Sequence, residues 1–279
     1  MNLQQCVELT FTVRPSWIEG KGVLTNKINS NHFLRILGSD TDISTIKPST
    51  FTKLALALQE EGKAAGTVNR ILAALHTCLH EAHLEGELES VPSYRRLKEP
   101  PARREWYTKE EVQTLLAEAL KLPRDGLLMH RTILFLYLSG ARRGELLKLK
   151  WSDVDLEGEQ MTFTDTKNGE HHTITIHSQL LPVIKEMHHY RTGDDELVFG
   201  WGSRDSLNRR FKTLQRMTGL GSNRGLHQIR HTCATHLVEA GVPIRSIQGL
   251  LNHKNIETTT KYAKVNDVAK ANAIANLSL

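Results

Sequence analysis

A phosphodiester is an anion that repels an anionic nucleophile, and charge gathers on its non-bridging oxygens as the transition state forms. Six residues of this chain suit that problem: Arg142, Lys167, His227, Arg230, His253 and Tyr262. The guanidinium forks of Arg142 and Arg230 can clamp the non-bridging oxygens, and His227 and His253 can add donors or move protons. Lys167, at the rim of a hairpin, can protonate a departing 5′-oxygen. The phenol of Tyr262 can form a phosphotyrosine, which conserves the bond energy for later rejoining without a high-energy cofactor. Neither a metal nor any other cofactor is required by this chemistry. Each residue is weak evidence alone: a rim lysine is ordinarily idle, and a partly exposed tyrosine after Thr258, Thr259 and Thr260 is ordinarily a packed surface aromatic.

The elements that must position these groups can be read from spacing. His227 and Arg230 are i and i+3, neighbours on one helical face. Cys233, Ala234, Leu237 and Val238 anchor that helix to a core, and Gly241 ends it. Ile244, Ile247, Leu250 and Leu251 bury a further helix that delivers His253 at its end. Upstream, Thr108 and Glu111 form a capping box, and a helix from about Leu127 carries Ile133, Leu134, Leu136 and Tyr137 into a core. Gly140 and Gly144 flank Arg142 and allow close backbone approach. Two runs of period two meet at Asn168-Gly169, a hairpin signal that puts Lys167 at its rim. A helix over Leu180 to Met187 follows.

The first hundred residues read as helical. Residues 1 to 20 show no long helical period and are expected to be irregular. Helices are expected from Thr25 to Leu37, with Ile28, Phe33, Ile36 and Leu37 as its stripe, and from about Pro48 to Gly62. The clearest runs from Thr67 to about Gly86, where Val68, Ile71, Leu72, Leu75, Cys78, Leu79 and Ala82 share one face. The stretch after Glu89, with three prolines and dense charge, reads as a linker. The boundary falls near Pro100, giving residues 1–100 as a helical domain and 101–279 as a second domain with a tail from about 265. The fold class is mainly α with one small antiparallel sheet.

Composition limits the remaining choices. The chain has 279 residues, 39% hydrophobic and 24% charged, ordinary values for a globular protein. The formal charge is +5. The first hundred residues balance 11 basic against 11 acidic side chains, so the surplus lies downstream. Arg204 to Arg230 holds seven Lys or Arg against the single acid Asp205, marking a phosphate-facing region. Candidate DNA contacts are Arg204, Arg209, Arg210 and Lys212 there, Arg70 in the first domain, and Arg95, Arg96, Arg103 and Arg104 along the linker. Cys6, Cys78 and Cys233 lack zinc spacing and suit a reducing cytoplasm. The first residues show no basic start followed by an apolar core, and no run approaches 18 apolar residues, so neither export nor membrane spanning is expected.

Taken together, these segments resemble the tyrosine recombinases of the phage integrase type. GARRGELLKLKW resembles the family's first arginine box, which implies that Arg142 is catalytic and Glu145 its buttress. HQIRH resembles the second box, implying catalytic roles for His227 and Arg230 and a helix-stabilising role for His231. LLNHKNIETTTKY resembles the segment ending in the nucleophile, which puts the third-position histidine on His253 and the nucleophile on Tyr262. The hairpin lysine of the family falls on Lys167. Asn252 departs from the pattern by replacing the usual glycine.

The match covers residues 105 to 270, and residues 20 to 90 more weakly resemble the family's helical core-binding domain. What the resemblance implies is a site-specific recombinase of the simple two-domain, integrase or excisionase type. It would act on double-stranded DNA core sites as a homotetramer, through 3′-phosphotyrosine links and a Holliday junction, in the cytoplasm of a bacterium or a phage-infected host. The tail would pass to a neighbouring protomer or cap its own domain, with Val265, Val268, Ile274 and Leu277 as its stripe. Xer-like dimer resolution, a type IB topoisomerase and a non-catalytic DNA-binding regulator are the alternatives.

Overall fold

The computed structural model describes residues 1–20, 22–100, 105–164, 171–193, 196–221 and 224–263. It divides into two compact units, Met1–Ala102 and Arg103–Leu279. Among the described residues no helix is long and apolar enough to cross a membrane.

The first unit is built from α1 (Leu3–Val13), α2 (Pro15–Ile18), α3 (Val23–Leu37), α4 (Pro48–Glu60) and α5 (Ala65–Leu84). α5 is the hub: Val68, Ile71, Leu72, Leu75, Cys78, Leu79 and Ala82 are all buried, as its spacing predicts. Three expectations are corrected here. The irregular start is a helix, opened by a capping box in which Asn2 accepts from the Gln5 amide and Gln5 accepts from that of Asn2. Its buried face is Leu3, Cys6, Val7 and Thr10. Thr10 occupies a core position because its hydroxyl bonds the Cys6 carbonyl at 2.9 Å, so the polar letter hides a helical period. In α3, Ile28 is 50% exposed and Phe33 is the buried anchor.

The third correction concerns the proline-rich stretch. Up to Glu99 it is fastened to the first unit rather than free. Tyr94 stacks on Phe51 with centroids 4.9 Å apart, and the buried Asn69 side chain bonds both the amide and the carbonyl of Leu97.

The second unit starts with α6 (Lys109–Ala119), whose capping box joins Thr108 and Glu111 as expected. α7 (Gly126–Ser139) is central and packs against α6 and α11 (Leu226–Glu239). A short α8 (Arg143–Leu146) leads to a three-stranded antiparallel sheet of β1 (Val154–Asp155), β2 (Gln160–Phe163) and β3 (His172–Thr175). Met161 pairs with Ile174, and both turn inward with Phe163. Then come α9 (Leu181–His189), α10 (Arg204–Thr218), α11, α12 (Ile244–Leu250) and α13 (Glu257–Ala263). The hairpin tip with Asn168, Gly169 and Lys167, and the tail from Val265, lie outside the described residues.

A polar knot ties the start of this unit to the segment that precedes α11. Arg224 bonds both carboxylate oxygens of Glu111 at 2.7 and 2.8 Å and lies 4.4 Å over the Tyr107 ring. The Tyr107 hydroxyl donates to the Arg224 carbonyl, and the Tyr107 amide to Thr232 on α11. The Arg224 guanidinium beside Glu111 holds that carboxyl below the usual range. A depressed carboxyl adds stability above its unfolded value, and this is lost as pH falls through the folded value. Glu111→Gln is expected to lose about 1.5–3 kcal/mol at neutral pH, the scale of a charge-assisted hydrogen bond. In paired thermal melts the variant should also show a smaller loss between neutral and acidic pH than the parent.

Candidate active site

Three segments meet where α7 ends. Gly140 caps α7 at φ +62°, and a Cβ placed there would lie 2.7 Å from a methyl of Leu251. Glycine lets the end of α12 come in close. Gly144, by contrast, has open space around its Cα, so no close approach is made there.

Arg142 is the N-cap of α8. Its amide donates to one oxygen of Glu145 at 2.6 Å, and its guanidinium donates to the other at 2.7 Å and to the Asn252 carbonyl at 2.9 Å. The carboxylate of Glu145 is buried by this contact, with 4% of its side chain exposed, and so braces the arginine expected of it. Arg230 is 3% exposed and donates to the Gly140 carbonyl at 2.5 Å and to the Leu251 carbonyl. One guanidinium thus joins three chain segments. Burial, and then the nearby charge of Arg142, push its pKa down to about 10.

Asn252 adopts φ +47°, in the left-handed region where glycine is at ease and asparagine is tolerated. The departure at this position therefore preserves the turn, and the turn aims the Asn252 carbonyl at Arg142. Asn252→Gly is expected to keep strand cleavage. Asn252→Val should cost roughly 1–2 kcal/mol of backbone strain and slow cleavage about tenfold or more by displacing Arg142. Melting curves and single-turnover rates check both.

His253 follows this turn, its Nδ1 paired with the hydroxyl of Thr259 at 2.9 Å. Thr259 is fully buried on α13, and sequence reading passes over it as one of three similar threonines. Tyr262, on the same helix, is 4% exposed, so the expectation of a partly exposed ring is corrected. The ring joins Ala234, Val238, Ile247 and Leu251 in a small apolar cluster, and its hydroxyl meets Nδ1 of His231. The resemblance implies only a helix-stabilising role for His231. Its position four residues after His227 on one helix was the available signal; the two rings lie 4.6 Å apart.

These side chains open onto one cleft of about 580 Å³, lined by Arg142, Arg143, His227, Arg230, His231, His253, Lys254 and Tyr262 among others. Five of the six residues singled out for phosphodiester chemistry are brought together there; Lys167 lies outside the described residues. The cleft presents cationic and imidazole groups beside a single phenol, an arrangement able to hold a phosphate and attack it.

The profile of the phage integrase family matches residues 105–268, more than half of the chain. The chain belongs to this family of tyrosine recombinases. The XerA tyrosine recombinase of Pyrococcus furiosus is 32% identical over 232 residues, 79% of each chain. That of Thermococcus onnurineus is 31% identical over 255 residues, 89% of this chain and 87% of the relative. Among solved structures, the Tn1549 transposon integrase in complex with transposon right end DNA aligns over the whole of both chains with a TM-score of 0.81 at 17% identity. A lambda integrase dimer bound to a COC′ core site covers 94% of this chain and 77% of that one, at 0.79 and 21%. The protein is a tyrosine-type site-specific DNA recombinase.

The basic residues of the recombinase sort by what they touch. Arg204, Arg209 and Lys212 on α10 are exposed, and Arg209 and Lys212 line a second cleft that shares Arg143 and His227 with the first. Arg143 donates to the Asn208 side chain at 2.8 Å across that shared wall. Arg210 instead faces Asp125, bonded at 2.9 Å. In the first unit Arg70 bonds its own helix, Arg95 is exposed, and Arg96 pairs with Glu99 at 3.4 Å. Arg103 and Arg104 lie outside the described residues.

Proposed function

We propose that this recombinase cleaves one strand of a duplex core site with Tyr262, leaving a 3′-phosphotyrosine. Arg142 and Arg230 hold the non-bridging oxygens, His227 and His253 add donors, and Lys167 protonates the departing 5′-oxygen. The observation that carries the reading is the convergence of Arg142, His227, Arg230, His253 and Tyr262, drawn from four separate segments, on one cleft. A binding module has no use for a phenol lodged among such groups.

The reading extends to an assembly of four protomers on two DNA sites inside the cell, exchanging strands through a Holliday junction. A groove of about 700 Å³, whose apolar lining is Tyr137, Leu138, Ile176, Cys233, Leu237 and Leu250 beside polar residues such as Lys109 and Glu159, supports docking of the striped tail from a neighbouring protomer. The domain of residues 1–100 would hold the opposite face of the core site. Integration and excision are the first reading of the biological role. Dimer resolution is the second, favoured by the XerA relatives above 30% identity.

Covalent capture tests the chemistry. The full-length protein is incubated with a library of randomised duplexes, and strands that stay attached in denaturant are sequenced. A recovered consensus, attached through the peptide that contains Tyr262, is the expected result. Attachment through another peptide, or no attachment from a library that the protein demonstrably binds, would overturn the reading.

A further inference from the structure

The phenol of a covalent nucleophile must lose its proton as it attacks, and the structure indicates where that proton goes. His227 and His231 are one helical turn apart on α11, so both rings face the cleft. They meet at 78°, edge to face, and His231 continues to Tyr262, whose ring centroid is 5.6 Å away. The Tyr262 hydroxyl and Nδ1 of His231 share a hydrogen bond. His253, the other histidine of the cleft, has Nδ1 engaged with Thr259.

We propose that His231 is the general base for strand cleavage, a role resting on the reading of Tyr262 as nucleophile. In the resting tautomer the ring carries its proton on Nε2, and Nδ1 accepts from the phenol. As the phenolic oxygen forms its bond to phosphorus, its proton passes to Nδ1. The bond from phosphorus to the 5′-oxygen breaks, and its electron pair leaves with that oxygen, which takes a proton from the general acid, the role proposed above for Lys167. Rejoining reverses the path: the 5′-hydroxyl attacks, and the imidazolium returns its proton to the tyrosine. His227 is thereby left to donate to the phosphate.

The test uses the full-length protein and the captured duplex, made with sulfur in place of the 5′-bridging oxygen of the cleaved linkage. A thiolate leaves without help from an acid, so the rate reports attack by the phenol. Position 262 is made either as tyrosine or as the more acidic difluorotyrosine, and the ratio of the two rates is read within each background. This ratio cancels losses caused by distorted folding.

The titratable and charged groups that share the cleft with His231 are His227 and Arg230 on α11, Arg142 and Arg143 at α8, His253 and Lys254 after α12, and Tyr262 on α13. Several of these also titrate or carry charge, but only loss of the base should make the rate depend on phenol acidity. His231→Asn and His231→Gln are expected to slow the tyrosine enzyme about 100-fold or more, the usual contribution of a positioned base, and the difluorotyrosine forms to recover most of that loss. Equal losses with both phenols would reduce His231 to a structural part, and faster cleavage without it would make it a latch; either overturns the proposal. Absence of any adduct with the unsubstituted protein would instead remove the reading of Tyr262 itself.

Discussion

Tyr262→Phe is expected to abolish the covalent adduct while leaving fold and DNA binding in place. Phenylalanine keeps the ring that packs with Ala234, Val238, Ile247 and Leu251. What disappears is one oxygen and its bond to His231, a loss of about 0.5–1.5 kcal/mol for an ordinary hydrogen bond. The chemical loss is far larger, because no other group in the cleft offers a phenolic oxygen. Deleting the nucleophile of a covalent mechanism costs on the order of a millionfold, below detection in a capture assay. The checks are a denaturing gel for attached DNA, a native gel for binding and a melting curve. A persistent adduct would point to a different nucleophile. Tyr190 is the natural control: it is 75% exposed yet distant in sequence from every cationic box, and its replacement should leave capture unchanged.

Much of this site is written in local sequence, and the missed parts are those that local sequence cannot express. The capping box at Thr108 and the apolar face of α5 depend on neighbours three and four residues apart, so both are legible. The pairing of Arg142 with Glu145 is also local, i and i+3, and the resemblance to the first arginine box is what points to it. The helix α1 is hidden because Thr10 looks polar and becomes a core residue only after bonding its own backbone. The fastening of Leu97 by Asn69, 28 residues earlier, and of Arg224 by Glu111, 113 residues earlier, are tertiary choices with no periodic trace. Arg210 shows the same limit: charge density in α10 places it with Arg209 and Lys212, but helical phase turns it toward Asp125. Asn252 is a substitution that a motif counts as a mismatch and a backbone angle explains.

Arg230→Met is expected to separate stability from catalysis. In the free protein the guanidinium is buried, and its pKa lies at about 10 because burial, followed by Arg142, penalises its charge. A cation whose folded pKa is depressed carries that penalty at every pH below the folded value; stability rises only as pH climbs from there toward the unfolded value. Removing the charge at neutral pH therefore relieves about 3 kcal/mol, taking roughly 1.4 kcal/mol per pKa unit. Against this, the Gly140 and Leu251 carbonyls lose their donor, at about 1–3 kcal/mol each. The two effects nearly cancel, and the melting midpoint should shift little.

Catalysis has no such offset. Loss of a fixed donor to the developing charge slows cleavage about 100- to 1000-fold. Arg230→Lys should recover little of this, since one ammonium cannot span both carbonyls and a phosphate oxygen. The decisive measurement is melting with and without the captured duplex. A phosphate in the cleft adds negative charge beside Arg230 to that of Glu145, so DNA should raise the midpoint of the parent more than that of the methionine variant. Equal shifts would mean that Arg230 serves the fold alone.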